Sequence, residues 1–172
     1  MRALLGIDIG TSACKVAAFS PDGALLAQAS AEYPTHHPRY GWAEQSPDDW
    51  WQAVQTALGQ VLRAVDPASV AGIGVDGQSW AAVLVDGAGR ALCRTPIWMD
   101  TRAATECERI DRLLGKDAAF ALCGNPTKPG YTLPKVLWYQ RHQPEAYARA
   151  AHLLQSKAFT VQTMTGTIKH DR

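Results

Sequence analysis

The chain has 172 residues, 47% hydrophobic and 19% charged, and its 17 basic and 16 acidic side chains leave a formal net charge of +1. That composition excludes an intrinsically disordered chain, which needs low hydrophobicity and high net charge. The near-cancelled charge leaves no basic field to hold a phosphate backbone, so nucleic acid is excluded as an expected partner. Cys14, Cys93, Cys107 and Cys123 form no C-x-x-C pair and lie at no zinc-finger spacing from a histidine; they read as buried small hydrophobes. Asp8 interrupts the apolar N-terminus before a secretory h-region can form, and the longest clean apolar run, Ala81 to Val85, is far too short to cross a bilayer. A reducing cytoplasm and no membrane partner are expected.

Ala3 to Ile9, apolar and closed by Gly10, reads as a buried strand. Lys15 to Ser20 and Leu25 to Glu32 are two more, separated by the turn signature Pro21-Asp22-Gly23. Three strands with tight connections predict an antiparallel meander. Tyr33 to Trp42 carries two prolines and reads as irregular. Ser46 offers an N-cap, Pro47 suits the first helical position, and Asp48 and Asp49 suit the positive end of the dipole. Trp51, Val54, Leu58, Val61, Leu62 and Val65 then mark one helical face. The adjacent Trp50 points about 100° away from Trp51, so only one of them can face the core centre.

Val70 to Val75, Ala81 to Val85 and Ala91 to Arg94 read as strands. Thr101 is the expected cap of a helix with Ala103, Cys107, Ile110 and Leu114 inward and Gly115 at its end. Thr132 is the expected cap of another, carrying Leu133, Val136 and Leu137. Leu153 and Leu154 are strand-like, and Ser156 opens a last helix closed by Gly166. The expected order is βββ-α-β-β-β-α-α-α-β-α, with no internal repeat. Thr167 to Arg172 reads as the entry to a further element.

Two glycine patterns carry different weight. Gly72-Ile73-Gly74-Val75-Asp76-Gly77 spells G-x-G-x-x-G, but its glycines fall inside a strand and no helix opens within it, so close packing of a small-residue strand is the better reading. Gly6-Ile7-Asp8-Ile9-Gly10-Thr11-Ser12 is a strand followed by a tight, hydroxyl-rich turn. Such a turn gathers backbone N–H groups and the Thr11 and Ser12 hydroxyls around one spot, an anion nest. Asp8 beside a phosphate makes sense with a Mg²⁺ between them, directly or through water. The same residues also suit a plain hairpin turn. Lys15 suits either a phosphate contact or a solvent-facing strand position. Asp76 suits either a pocket or a turn, and Asp100 with Arg102 either a pocket or a surface ion pair.

The Gly6–Ser12 segment resembles the first phosphate motif of the actin, Hsp70 and sugar-kinase superfamily. With Trp42-Ala43-Glu44-Gln45, Pro47, Trp50, Trp51, Gly77-Gln78, Trp98-Met99-Asp100-Thr101-Arg102 and Thr165-Gly166, the chain resembles along nearly its whole length the N-terminal part of the FGGY carbohydrate kinases, xylulokinases being the nearest subgroup. The resemblance implies an α/β, ribonuclease-H-like (actin/hexokinase-like ATPase) domain, a mixed sheet flanked by helices. Residues 1–172 would form an N-terminal domain incomplete at its C-terminus, with the ATP-side C-terminal domain as its missing partner. The implied reaction is transfer of the γ-phosphoryl of Mg·ATP to a hydroxyl of D-xylulose or a related ketose or polyol.

On the same resemblance, Asp8 would help hold Mg²⁺, and Gly10, Thr11 and Ser12 would face the β- and γ-phosphates. Gln78, Ser79 and Trp80 would touch the sugar, and Asp100 and Arg102 would line or support that pocket. The catalytic base is expected downstream of this chain, and a homodimer is an expectation for the intact enzyme. Where xylulokinases read glycine-glutamine-methionine-histidine, this chain reads Gly77-Gln78-Ser79-Trp80. An indole stacks on the C–H face of a sugar and donates one N–H but accepts no hydrogen bond, so the pocket is reshaped. A nucleotide-dependent assembly protein of the actin type shares the phosphate turn, but that role does not call for Gln78 with the Trp98–Arg102 cluster. A non-catalytic sugar-binding half-protein is the other alternative.

Overall fold

The computed structural model describes residues 2–168. In chain order its elements are β1 (Ala3–Ile9), β2 (Ala13–Phe19), β3 (Leu25–Glu32), β4 (Glu44–Gln45), α1 (Pro47–Val61), β5 (Val70–Gly77), β6 (Val83–Val85), β7 (Thr95–Pro96), α2 (Ala104–Leu114), α3 (Lys116–Cys123), α4 (Thr132–His142), α5 (Pro144–Arg149), β8 (His152–Leu154) and α6 (Ser156–Thr165). They fall into two compact units. The first holds the chain up to Thr35, Ser46–Gln78 and the chain from Ser156; the second holds His36–Gln45 and Ser79–Gln155.

The first unit is built on a mixed sheet of order β3-β2-β1-β5. β1 pairs antiparallel with β2, and β2 with β3, which is the expected meander, while β5 joins β1 in parallel. Side chains alternate across a strand, so one face collects Ala3, Leu5, Ile7 and Ile9 with Cys14, Val16 and Ala18, all at most 5% exposed. α1 covers this face over β2 and β3, and α6 over β5 and β1. Each large aliphatic side chain buried there contributes about 1.5–3 kcal/mol. The opposite face carries Leu4, Gly6, Asp8, Lys15, Ala17 and Phe19, and its small residues leave a shallow cavity of about 480 Å³.

α1 starts at Pro47 with Asp48 and Asp49 in its first turn, as expected, but the Ser46 carbonyl rather than its hydroxyl accepts the first backbone N–H groups. Its inner face is Trp50, Ala53, Val54, Ala57 and Val61; of the expected stripe Val54, Val61 and Val65 are buried, whereas Trp51, Leu58 and Leu62 are only half-buried. Ala53 and Ala57 let the helix approach the sheet closely. Trp51, Leu58 and Leu62 therefore lie on the flanks of the contact.

The second unit packs Ala82, Leu84, Ala103, Trp138 and Tyr139 into one core. β6 pairs antiparallel with β8, and the two-residue β4 with β7. The expected strand at Ala91 to Arg94 does not form. Ala91 makes one bridge to Val85, and pairing resumes only at Thr95 and Pro96, against Glu44 and Gln45. Thr101 does not cap α2; its hydroxyl donates to the Gly41 carbonyl (2.9 Å), and the helix begins at Ala104. Leu114, expected inward, is 52% exposed, while Glu106 is buried. α4 turns a different face to the core than expected. Pro134, Lys135, Trp138 and Tyr139 are buried, whereas Leu133 is 60% exposed. Cys14 and Cys107 are buried as expected, Cys93 is half-buried, and Cys123 is exposed; all four are free thiols. No helix among the described residues is long and apolar enough to cross a membrane. Of the expected further element at 167–172, residues 169–172 lie outside the described residues.

Candidate functional site

One group of candidate residues lies at the C-terminal end of β1. Asp8 stands in register with Lys15 on β2 and with Asp76 on β5, and all three are exposed. They line the same cavity as Gly6, Ala17 and Gly74. The turn that follows is closed by the Gly10 N–H donating to the Ala13 carbonyl (3.1 Å). It is braced by Tyr33, whose N–H donates to the Ser12 carbonyl (3.2 Å) and whose hydroxyl donates to the Gly10 carbonyl (2.5 Å). Burial, with Cys14 and Asp8 adding to it, pushes the Tyr33 hydroxyl far up, so it stays a proton donor. Burial, with Asp8 adding to it, likewise pushes the Cys14 thiol up to about 11, which leaves it an uncharged core residue. Thr11 is half-buried and Ser12 exposed. A carboxylate, two hydroxyls and a rigid turn thus share one strand end.

Gln78 is fixed to that same end. Its N–H donates to the Ile9 carbonyl (2.7 Å), extending the β1–β5 pairing by one residue. The Ser156 hydroxyl, at the start of α6, donates to the Gln78 carbonyl (2.8 Å). The glycine before it is required by contact: a Cβ on Gly77 would lie 2.6 Å from Ser156 Oγ and 3.1 Å from the Ile9 carbonyl oxygen. Gly72 and Gly74 have ordinary room, so close packing explains only the last glycine of the G-x-G-x-x-G string.

A second group of candidate residues belongs to the other unit. Ser79 and Trp80 are exposed, and Trp80 is the only non-glycine residue with positive φ (62°) among the described residues. Its ring lies 4.5 Å from that of Tyr131 at a 30° tilt. Asp100 and Arg102 come together inside the unit, with side chains 0% and 1% exposed. Asp100 Oδ2 accepts from the Ala43 N–H (2.7 Å), and its Oδ1 accepts from the Arg102 N–H (2.9 Å). Arg102 Nη2 pairs with Asp100 Oδ2 and Glu44 Oε2, both at 2.8 Å. Its guanidinium lies 3.8 Å from the centre of the Trp42 ring and 5.0 Å from that of Trp138. Burial opposes this charge, but hydrogen bonds and charges from Asp100 and Glu44 outweigh it and hold the guanidinium above its ordinary pKa. The cluster therefore acts as an internal brace that ties residues 42–45 to 100–102.

Sequence reasoning missed Tyr33, Tyr131 and Lys135. Tyr33 sat in a stretch read as irregular. Lys135 was not singled out, although Trp138 and Tyr139 stand three and four positions on and so share its face.

A meander extended by a parallel strand, with a hydroxyl-rich turn beside a strand-end carboxylate, defines a domain of the actin/hexokinase-like ATPase class. The chain belongs to the FGGY family of carbohydrate kinases, whose N-terminal domain profile matches residues 3–172. It is 34% identical over 170 residues to the xylulose kinase of Bacillus subtilis, covering 98% of this chain and 34% of that protein. It is 33% identical over 150 residues to the glycerol kinase of Gluconobacter oxydans, covering 86% of this chain and 29% of that one. The solved xylulose kinase of Rhodospirillum rubrum superposes with a TM-score of 0.91 at 26% identity, over 96% of this chain and 34% of that one. The chain thus spans about a third of the length of the relatives it matches.

Proposed function

We propose that this chain is the N-terminal, sugar-side part of an ATP-dependent carbohydrate kinase, with D-xylulose or a related ketose or polyol as acceptor and the cytoplasm as its compartment. The observation that supports this reading is the Gln78 N–H donating to the Ile9 carbonyl, at the strand end that also holds Asp8 and the Gly10–Ser12 turn. The similarity to xylulose kinases at 32–34% identity supports a ketose. The 33% identity to a glycerol kinase supports keeping polyols in view.

Each residue has a part derivable from its chemistry. Gly10, Thr11 and Ser12 present N–H and hydroxyl donors to the β- and γ-phosphates of ATP, and Tyr33 keeps their backbone from relaxing. Asp8 is an exposed oxygen ligand, the donor type that Mg²⁺ takes, so the residues present fit that ion. Bound Mg²⁺ supplies charge neutralisation to the phosphates. Gln78 and Ser79 hydrogen-bond sugar hydroxyls, and Trp80 offers a ring to the C–H face and one N–H donor. Asp100 and Arg102, engaged with each other and with Ala43 and Glu44, support the pocket wall.

The catalytic base is expected from a later segment of the N-terminal domain, and the nucleotide-side wall from the C-terminal domain. A positioned base is worth about 10²–10⁴-fold, and correct placement of both reactants about 7–11 kcal/mol. A coupled ADP-release assay with Mg·ATP and a panel of ketoses and polyols tests the proposal, run on this chain and on the polypeptide extended through the downstream coding sequence. The expected result is sugar-dependent turnover by the longer polypeptide and background by the 172-residue chain. Turnover by the short chain, or none with any sugar by the long one, overturns it.

A further inference from the structure

Lys135 has no exposed surface, and its ammonium donates to three backbone carbonyls: Trp80 at 2.8 Å, Ile97 at 2.7 Å and Gly130 at 2.6 Å. Three N–H donors meet three acceptors, the full complement of a charged lysine. A buried charge persists only where such partners replace water. Asp100 and Arg102 are the charged groups whose fields reach it, and they act in opposite directions.

The carbonyls it gathers have one thing in common. Trp80 is in the left-handed backbone region, where a non-glycine residue stays only if its surroundings hold it. Gly130 directly precedes Tyr131, and it packs so closely on the Trp98 carbonyl that a Cβ there would lie 2.2 Å from that oxygen. Ile97 directly precedes Trp98. One ammonium thus fixes both segments whose rings meet, the 42%-exposed Trp80 and the half-buried Tyr131.

We infer that Trp80 and Tyr131 form a two-ring platform for the apolar C–H face of the sugar, and that Lys135 is the positioning residue that sets both rings. The ligand class rests on the proposed kinase function; the positioning does not. A ring pair suits a sugar because its C–H face is apolar, and the Tyr131 hydroxyl can accept a hydrogen bond, which the Trp80 indole cannot.

The test compares this chain with Lys135→Met, Tyr131→Ala and the double variant, by amide hydrogen exchange and by ketose and polyol affinity. Lys135→Met is expected to keep the first unit's exchange unchanged while exchange at residues 79–82 and 129–132 rises at least tenfold. Sugar affinity falls about tenfold in each single variant and no further in the double, because both act through one platform. If Lys135→Met does not fold, Lys135→Gln, which keeps two donors, is read in the same way. A folded variant with unchanged exchange in those two segments overturns the positioning role. Fully additive affinity losses overturn the shared platform. If the polypeptide extended through the downstream coding sequence turns over a sugar while its Tyr131→Ala form keeps full sugar affinity, the platform's ligand is overturned and the kinase proposal stands; the exchange result decides the positioning in either case.

Discussion

Asp100 and Lys135 show how much one buried charge depends on its partners. Asp100 is the main counter-charge of an Arg102 side chain that is 1% exposed. Removing one member of a buried pair leaves the other uncompensated, at about 3–5 kcal/mol. Asp100→Ala is therefore expected to lose stability on that scale in denaturant titration, far beyond the loss of a surface ion pair. Lys135 gives a pH signature. Burial lowers its ammonium from 10.5 to about 7, with Asp100 pulling it up and Arg102 pushing it down. Between those values the unfolded chain keeps a proton that the folded chain releases, so this group makes stability rise with pH by up to about 1.4 kcal/mol per unit. Below pH 7 both states hold the proton and the slope vanishes. The three carbonyl acceptors favour the charged form and narrow this window. Unfolding titrations at pH 6.5, 7.5 and 8.5 should show a slope that Lys135→Met lacks. At this scale the candidate phosphate turn was legible, because Asp8, Gly10, Thr11 and Ser12 fall within five consecutive residues. The burial of Asp100 and Arg102 was not, because their partners Ala43 and Glu44 lie more than fifty positions away.

Elements were legible where one strand or helix decides its own burial. β1, β2 and β3 alternate or run apolar between clear turns, and they form the expected meander. α1 was located by Pro47 and its acidic first turn, yet its inner face was not. Alanines at 53 and 57 define the contact, and they weigh little in a hydrophobic pattern dominated by Trp51, Leu58 and Leu62. β4 and β7, two residues each, carry no periodicity at all and exist only through each other. The glycine string in β5 supplies a direct check on element packing. Gly77→Ala forces a Cβ to 2.6 Å from Ser156 Oγ and 3.1 Å from the Ile9 carbonyl oxygen, whereas at Gly72 the nearest atom is 3.7 Å away. Overpacking of this kind costs about 1–3 kcal/mol. Thermal unfolding is expected to place Gly77→Ala well below the unaltered chain and Gly72→Ala close to it; equal shifts would contradict the packing at the β1–β5 end.

At the scale of the whole molecule, the chain divides into two compact units that alternate along the sequence: it leaves the first after Thr35 and re-enters at Ser46, then leaves after Gln78 and re-enters at Ser156. That division was not legible in the sequence. It depends on residues 36–45 pairing with a segment some fifty positions later, a long-range contact that local patterns do not encode. The candidate residues follow the same division, Asp8 and the Gly10–Ser12 turn in one unit and the Trp80–Tyr131 ring pair in the other. About two thirds of the length of its relatives lies beyond what this chain matches. The central claim is that this third is the sugar side. It is tested most directly by a thermal-shift panel of ketoses, polyols and Mg·ATP on the 172-residue chain. Binding to the folded state raises stability by RT ln(1 + [L]/Kd), about 2.7 kcal/mol at one hundred times Kd. A shift with a ketose or polyol that Trp80→Ala abolishes is the predicted result; a shift with Mg·ATP and none with any sugar would contradict it.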